Sequence, residues 1–315
     1  MKKALKIVIK ILLALIILIV IFLLVMFIYN KIKMKSEEPL LKPLGQMVEV
    51  DNHKMSIYTE GEGEKTLVFL SGSGTASPIL DFKSLYSLLS DDYRIVVIEK
   101  FGYGFSDIVD DERSFETILR QDREALAKAE IAGPYILCPH SMSGLEAILW
   151  AQTYPDEVEA IVGLDMSLPR AYDHFDFDGI VTLQKLAVFA RELGLTRIYY
   201  SNAALPQTLS KEEMEIYRAI GCKIAFNEMV LKEGQAIPEA CKKIDGMPKP
   251  DIPMLMFVSD GKETGIENWI KSQKEYAFDL SDAQVIELDC GHYVHNFKQE
   301  QINDEMRAFI ESLGK

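Results

Sequence analysis

Residues 135–150, Tyr-Ile-Leu-Cys-Pro-His-Ser-Met-Ser-Gly-Leu-Glu-Ala-Ile-Leu-Trp, change their periodicity midway. Tyr135 to Cys138 is a short apolar run of buried-strand type, and Gly133-Pro134 punctuates its start. From Met142 onward, Leu145, Ile148 and Leu149 recur at helical spacing. Ser141 therefore stands at a sharp strand-to-helix corner. There the backbone is strained, the hydroxyl is exposed, and the Met142 N–H at the helix start can face an anion. An ordinary strand–helix turn has the same local pattern, so the rest of the chain must decide between them.

Composition bounds the answer. The chain has 315 residues and 48% apolar content, enough for one large core of roughly 250 residues plus extras. Its formal charge is −14, yet residues 1–35 carry seven lysines and no acid, which leaves −21 on the remainder. So acidic a body repels phosphate backbones and excludes nucleic acid as a partner. Cys138, Cys222, Cys241 and Cys290 form no C-x-x-C pair and no metal-ligand spacing. Free thiols are the expectation, with pairing of Cys222 and Cys241 left open.

Ile11 to Ile28 is eighteen residues without a charge, about the minimum to cross a bilayer as a helix. Lysines flank both ends, and neither a cleavage site of small residues nor a lipidatable cysteine follows. Residues 1–35 are thus expected to be an uncleaved single-span anchor in the cell membrane. Four lysines before the span and three after it lean toward a cytoplasmic N-terminus and an extracytoplasmic body.

Residues 36–45 read as a polar linker. A hairpin follows over Met47–Thr59 with an Asp51-Asn52 turn, then a buried strand at Thr66–Leu70 and the small-residue loop Ser71–Ala76. Ser77-Pro78 starts a helix carrying Phe82, Leu85, Leu88 and Leu89. Another strand (Tyr93–Ile98), a glycine-rich loop to Asp107 and a helix over Ser114–Glu130 lead into the corner, and Val158–Leu164 ends the run at Asp165. Such alternation predicts a mostly parallel α/β sheet flanked by helices. It stops over residues 167–250, where helical patterns such as Ile180–Leu193 and Lys211–Leu231 predict a helical lid between two late strands. It resumes with Pro253–Val258, a helix (Ile266–Phe278), a strand (Ala283–Leu288) and a helix (Gln299–Leu313). The core is expected over 46–166 and 251–315.

Four stretches, in order, resemble the α/β-hydrolase fold family: Leu70-Ser71-Gly72-Ser73-Gly74, the Phe101–Asp107 loop, Pro139–Gly144 and Gly291-His292. The Phe101–Asp107 loop is similar to that family's D-x-x-G-x-G-x-S segment, with Glu99 at the acidic position. Pro139 and Ser143 replace the usual elbow glycines. In an open parallel sheet, loops at the carboxyl ends of strands gather at one edge. The resemblance implies that Ser141 is a nucleophile and His292 its base, with Ser73 and Met142 N–H groups as oxyanion donors. A serine needs such a base, and an oxyanion needs two fixed donors. His295 is the nearby alternative to His292 but is expected to pack at the mouth, and His140 beneath the loop.

The third member, a carboxylate to orient His292, has three candidates. Asp165 follows the strand before the lid; Asp260 and Glu263 follow the strand after it, on either side of Lys262, where the common pattern would put the acid. Together these residues and the apolar N-terminal stretch predict a membrane-anchored serine hydrolase of an ester, thioester or amide with a small-molecule or lipid-like substrate. Aspartate at the elbow would instead imply epoxide or haloalkane chemistry. Alternatives are an aminopeptidase or acyltransferase using the same residues, or a catalytically silent scaffold that binds a ligand or partner. The mechanism requires no metal or organic cofactor, and no motif for one is present. Oligomeric state is not legible.

Overall fold

A computed structural model of the chain describes residues 2–200 and 205–313. Residues 201–204 of the expected lid, and Met1, Gly314 and Lys315, lie outside the described residues. The chain begins with one helix, α1 (Lys2–Glu37), followed by a 3-10 turn over Glu38–Leu40. Then come β1 (Gln46–Val50), β2 (His53–Glu60), β3 (Thr66–Leu70), α2 (Pro78–Asp81), α3 (Lys83–Leu89), β4 (Arg94–Glu99), α4 (Phe115–Lys128), β5 (Tyr135–Ser141), α5 (Ser143–Thr153) and β6 (Val158–Met166). An all-helical stretch follows: α6 (Phe177–Glu192), α7 (Thr196–Tyr199), α8 (Lys211–Ile224) and α9 (Glu228–Asp245). The chain ends with β7 (Met254–Val258), α10 (Trp269–Phe278), β8 (Ala283–Glu287), α11 (Val294–Phe297) and α12 (Gln299–Ser312).

The strands form one sheet in the order β1-β2-β4-β3-β5-β6-β7-β8, antiparallel at β1–β2 and β2–β4 and parallel elsewhere. Both faces are covered because successive side chains point to opposite sides. Val68, Leu70, Val96 and Leu137 pack under α4, α5 and α9, whereas Leu67, Phe69, Val97 and Ile136 pack under α3 and α12. Thus β5 is central, and its carboxyl end at Ser141 opens between β3 and β6.

Two expectations need correcting. Lys211–Leu231 is not one helix: it breaks at Ala225–Asn227, where Phe226 has φ +55° and the Asn227 side chain accepts from Met229 N–H to start α9. Nor are residues 36–45 a free linker. Helix α1 runs through Glu37, and Leu40 and Leu41 pack against the cluster of Tyr200, Ile216 and Tyr217. Arg197 Nη1 and Nη2 donate to the Glu37 carboxylate at 2.9 and 2.8 Å, and Arg197 Nε donates to Asn30 Oδ1 at 2.7 Å. The helical insertion between β6 and β7 is therefore clasped to the end of α1.

Candidate active site

The corner at Ser141 is built by close approach. Ser141 has φ +54°, in the left-handed region, so the chain leaves β5 abruptly and turns the hydroxyl away from the sheet. Gly72, at the tip of the loop after β3, sits so close that a Cβ there would lie 2.7 Å from Ser141 Cβ. Gly144 is pressed against the end of β6, and a Cβ there would lie 2.9 Å from Met166 Cβ. Ser143 stands where a glycine would be usual and uses its hydroxyl: Oγ donates to Leu70 O at 2.6 Å, or to His140 O at 2.8 Å. Leu70 is the residue paired with Pro139, so that hydroxyl ties β3 to β5 beside the proline that has no N–H.

His292 lies in the turn after β8 and faces the corner. Its Nε2 is 2.9 Å from Ser141 Oγ, and its Nδ1 is 2.6 Å from Asp165 Oδ2. With a carboxylate on Nδ1, that nitrogen carries the proton and Nε2 offers its lone pair to the serine. Asp165 is fully buried and, at φ +52°, also left-handed. Its Oδ1 accepts Ser259 N–H and Trp269 Nε1–H, both at 2.7 Å. Of the three carboxylates, this one reaches the ring. Asp260 pairs with Lys262 Nζ at 2.6 Å on the surface. Glu263 accepts the backbone N–H of His292 at 2.8 Å, so it holds the main chain of the histidine and not its imidazole.

His140 packs beneath His292, with ring centroids 4.6 Å apart and Nε2 3.2 Å from His292 O. Burial, then the two neighbouring histidines, pushes its pKa well down, and it is neutral. His295 is not at the mouth. It is fully buried, with Nε2 2.9 Å from Asp81 Oδ2 and its ring against Phe82, because α11 turns it inward under α2.

Ser73 and Met142 line the same cavity as Ser141 and His292. Its volume is about 170 Å³, and its walls are mostly apolar: Phe175, Phe177 and Val181 from the insertion, Ile237 from α9, and Ile266 and Trp269 before and at the start of α10. A cavity of roughly this size holds one benzene-sized group.

Behind the small-residue loop lies a buried charge cluster that sequence reasoning missed. Lys100 Nζ reaches Glu233 at 3.1 Å, Glu146 at 3.3 Å and Ser71 O at 3.2 Å. Arg113 is 3.6 Å from Glu233. Tyr103 OH donates to Glu233 and accepts from Gly74 N–H at 3.3 Å. Burial pushes the Glu233 carboxyl up, but Lys100 and Arg113 outweigh it and hold the group ionised. Burial and the adjacent Glu146 push Asp122 well above the carboxylate range, so it is neutral and the charges balance. One signal was available: Glu233 sits in the buried stripe Met229, Ile237 and Ala240, and an acid on an apolar stripe implies a buried counter-charge.

No protein-family model matches the chain. It is 36% identical over 300 residues to the uncharacterized protein YbdG of Bacillus subtilis, covering 91% of this chain and 92% of that one. Among solved structures, the Bacillus megaterium epoxide hydrolase superposes with a TM-score of 0.66 at 15% identity, covering 84% of this chain and 100% of that one. A serine hydrolase involved in carbazole degradation (CarC) superposes with a TM-score of 0.60 at 13% identity, covering 85% and 98%. Haloalkane dehalogenases share the fold in the same way.

Proposed function

The chain belongs to the family of the B. subtilis protein YbdG and to the α/β-hydrolase fold, and from that premise we propose that it is a membrane-anchored serine hydrolase. Ser141 Oγ attacks the carbonyl carbon of an ester, thioester or amide while His292 Nε2 takes its proton. The tetrahedral oxyanion sits between the Met142 and Ser73 N–H groups. Collapse breaks the bond to the leaving group, which departs with the proton from His292 while the acyl group stays on Ser141. Water, deprotonated by the same histidine, then releases the acid. Asp165 holds the imidazole in its tautomer and offsets its charge when protonated. Glu263 steadies the His292 backbone.

Residues 167–250 serve as a lid over this pocket, and their aromatic and aliphatic side chains accept a small or acyl-bearing group. The 18-residue apolar stretch inside α1 is the anchor, and the lysine balance sets the body outside the cell membrane. A serine at the elbow directs the reading to acyl transfer rather than to the chemistry named for the epoxide hydrolase and dehalogenase neighbours.

The observation that supports this most is the unbroken run of 2.6 and 2.9 Å contacts from Asp165 through His292 to Ser141 at the floor of an apolar cavity. The test is labelling of the full chain, purified in detergent micelles, by a fluorophosphonate probe. Labelling that disappears in both Ser141→Ala and His292→Ala is the expected result. A folded wild-type protein that takes no label would make the chain a silent scaffold.

A further inference from the structure

Helix α6 is apolar on two opposite sides. With 3.6 residues per turn, Phe177, Val181 and Gln184 share the side that lines the cavity. Leu183, Leu186 and Phe189 fall on the other side, 61, 61 and 62% exposed, and Ile198 and Tyr199 of α7 are exposed to the same degree, 60 and 62%. A contiguous exposed apolar face of this kind marks an interaction surface. Here, among the described residues, nothing covers one side, and outside α1 the other exposed large apolar residues, such as Ile108 and Phe278, stand singly in their elements.

What covers the patch follows from where α1 meets it. Gly194, in the turn between α6 and α7, is packed so tightly on α1 that a Cβ would lie 3.0 Å from Met26 O and 2.5 Å from Asn30 Cβ. Met26 belongs to the uncharged run that ends at Ile28. A loop touching Met26 is at the depth where that run enters the bilayer. The Asn30–Arg197–Glu37 clasp holds it there. The Lys31, Lys33 and Lys35 flank, at headgroup level, is the next turn of the same helix.

We propose that the outer face of α6 and α7 seats in the apolar boundary of the bilayer that holds α1. Helix α6 then forms the wall between lipid and active-site cavity, and the substrate is a lipophilic acyl compound that arrives from the membrane phase. This rests on the reading of α1 as a membrane anchor. The acidic body makes the attachment apolar rather than electrostatic, so a zwitterionic surface suffices.

The test uses the full chain in phosphatidylcholine vesicles with or without brominated acyl chains, which quench tryptophan on contact. Native Trp150 and Trp269 are buried and supply a constant background. Phe189→Trp reports the patch, and Leu18→Trp reports the anchor. We expect bromolipid to remove at least half of the emission added at each position. Quenching at 18 without quenching at 189 overturns the proposal and leaves the anchor standing. In that case, protection of residue 189 from aqueous iodide assigns the face to a second copy of the chain, and quenching by iodide assigns it to water. No quenching at 18 overturns the anchor reading and the proposal with it.

Discussion

Asp165 serves two sets of donors with its two oxygens, and its replacement separates geometry from chemistry. In Asp165→Asn, Oδ1 can keep Ser259 N–H and Trp269 Nε1–H, which forces the amide NH₂ toward His292 Nδ1. The imidazole must then accept at Nδ1 and protonate at Nε2, so in the proposed mechanism it no longer takes the proton of Ser141. Turnover is expected to fall on the order of 10⁴-fold with little change in the folded structure, as in other triads; ester hydrolysis and circular dichroism check the two halves. Glu99 carries a different consequence. Burial pushes its carboxyl up to about 7, although Phe105 N–H donates to it at 2.8 Å. A raised folded pKa means stability fully present below the ordinary glutamate value of about 4.5 and lost as the pH climbs to about 7. Glu99→Gln is expected to lack that slope. Relative to wild type, it gains on the order of 3 kcal/mol between pH 4.5 and pH 8 in unfolding free energy. Parallel profiles for the two proteins would refute the assignment.

At the scale of elements, Glu233 joins α9 to the loop after β3 and to β4 through Lys100, Arg113 and Tyr103. Removing one charge from a buried, balanced set leaves the rest uncompensated. Glu233→Gln is expected to cost about 3–5 kcal/mol, read as a fall in thermal midpoint. Lys100→Met in the same chain should recover part of it, because the unpaired cation is then gone. The cluster also bears on the site. Lys100 donates to Ser71 O and Tyr103 accepts from Gly74 N–H, so the backbone around Ser73 is held from behind. A slackened loop would show as a lower rate of probe labelling in the folded variant.

For the whole molecule, the join between α1 and the insertion decides whether the body hangs freely or is held at a fixed angle. Arg197 is 7% exposed and Glu37 16%, so the pair is largely out of water and geometrically bidentate. Arg197→Ala is expected to weaken the docking by about 2 kcal/mol. The measurement is hydrogen exchange across α6 and α7 in micelles, which should speed by more than tenfold there and stay unchanged in β5. Equal protection in both proteins would mean that the Gly194 contact alone holds the helix.

Chemical identity and order along the chain settled a good deal: the 3.6-residue and two-residue repeats, the eighteen uncharged residues, the small residues at 71–76 and the serine at a strand–helix corner are local properties. They are fixed by side-chain volume, charge and backbone freedom, and they specified the alternation of strands and helices with a helical insertion. Which carboxylate meets His292 was not local. Asp165 stands at the end of β6 and Asp260 just after β7, and the register of β6 against β7, with the left-handed turn at Asp165, decides that one points inward and the other to solvent. The inward turn of His295, the balance of charge around Lys100 and the clasp from Arg197 to Glu37 share that character. Each depends on groups more than a hundred residues apart meeting at angstrom distances, and only the packed chain brings them there.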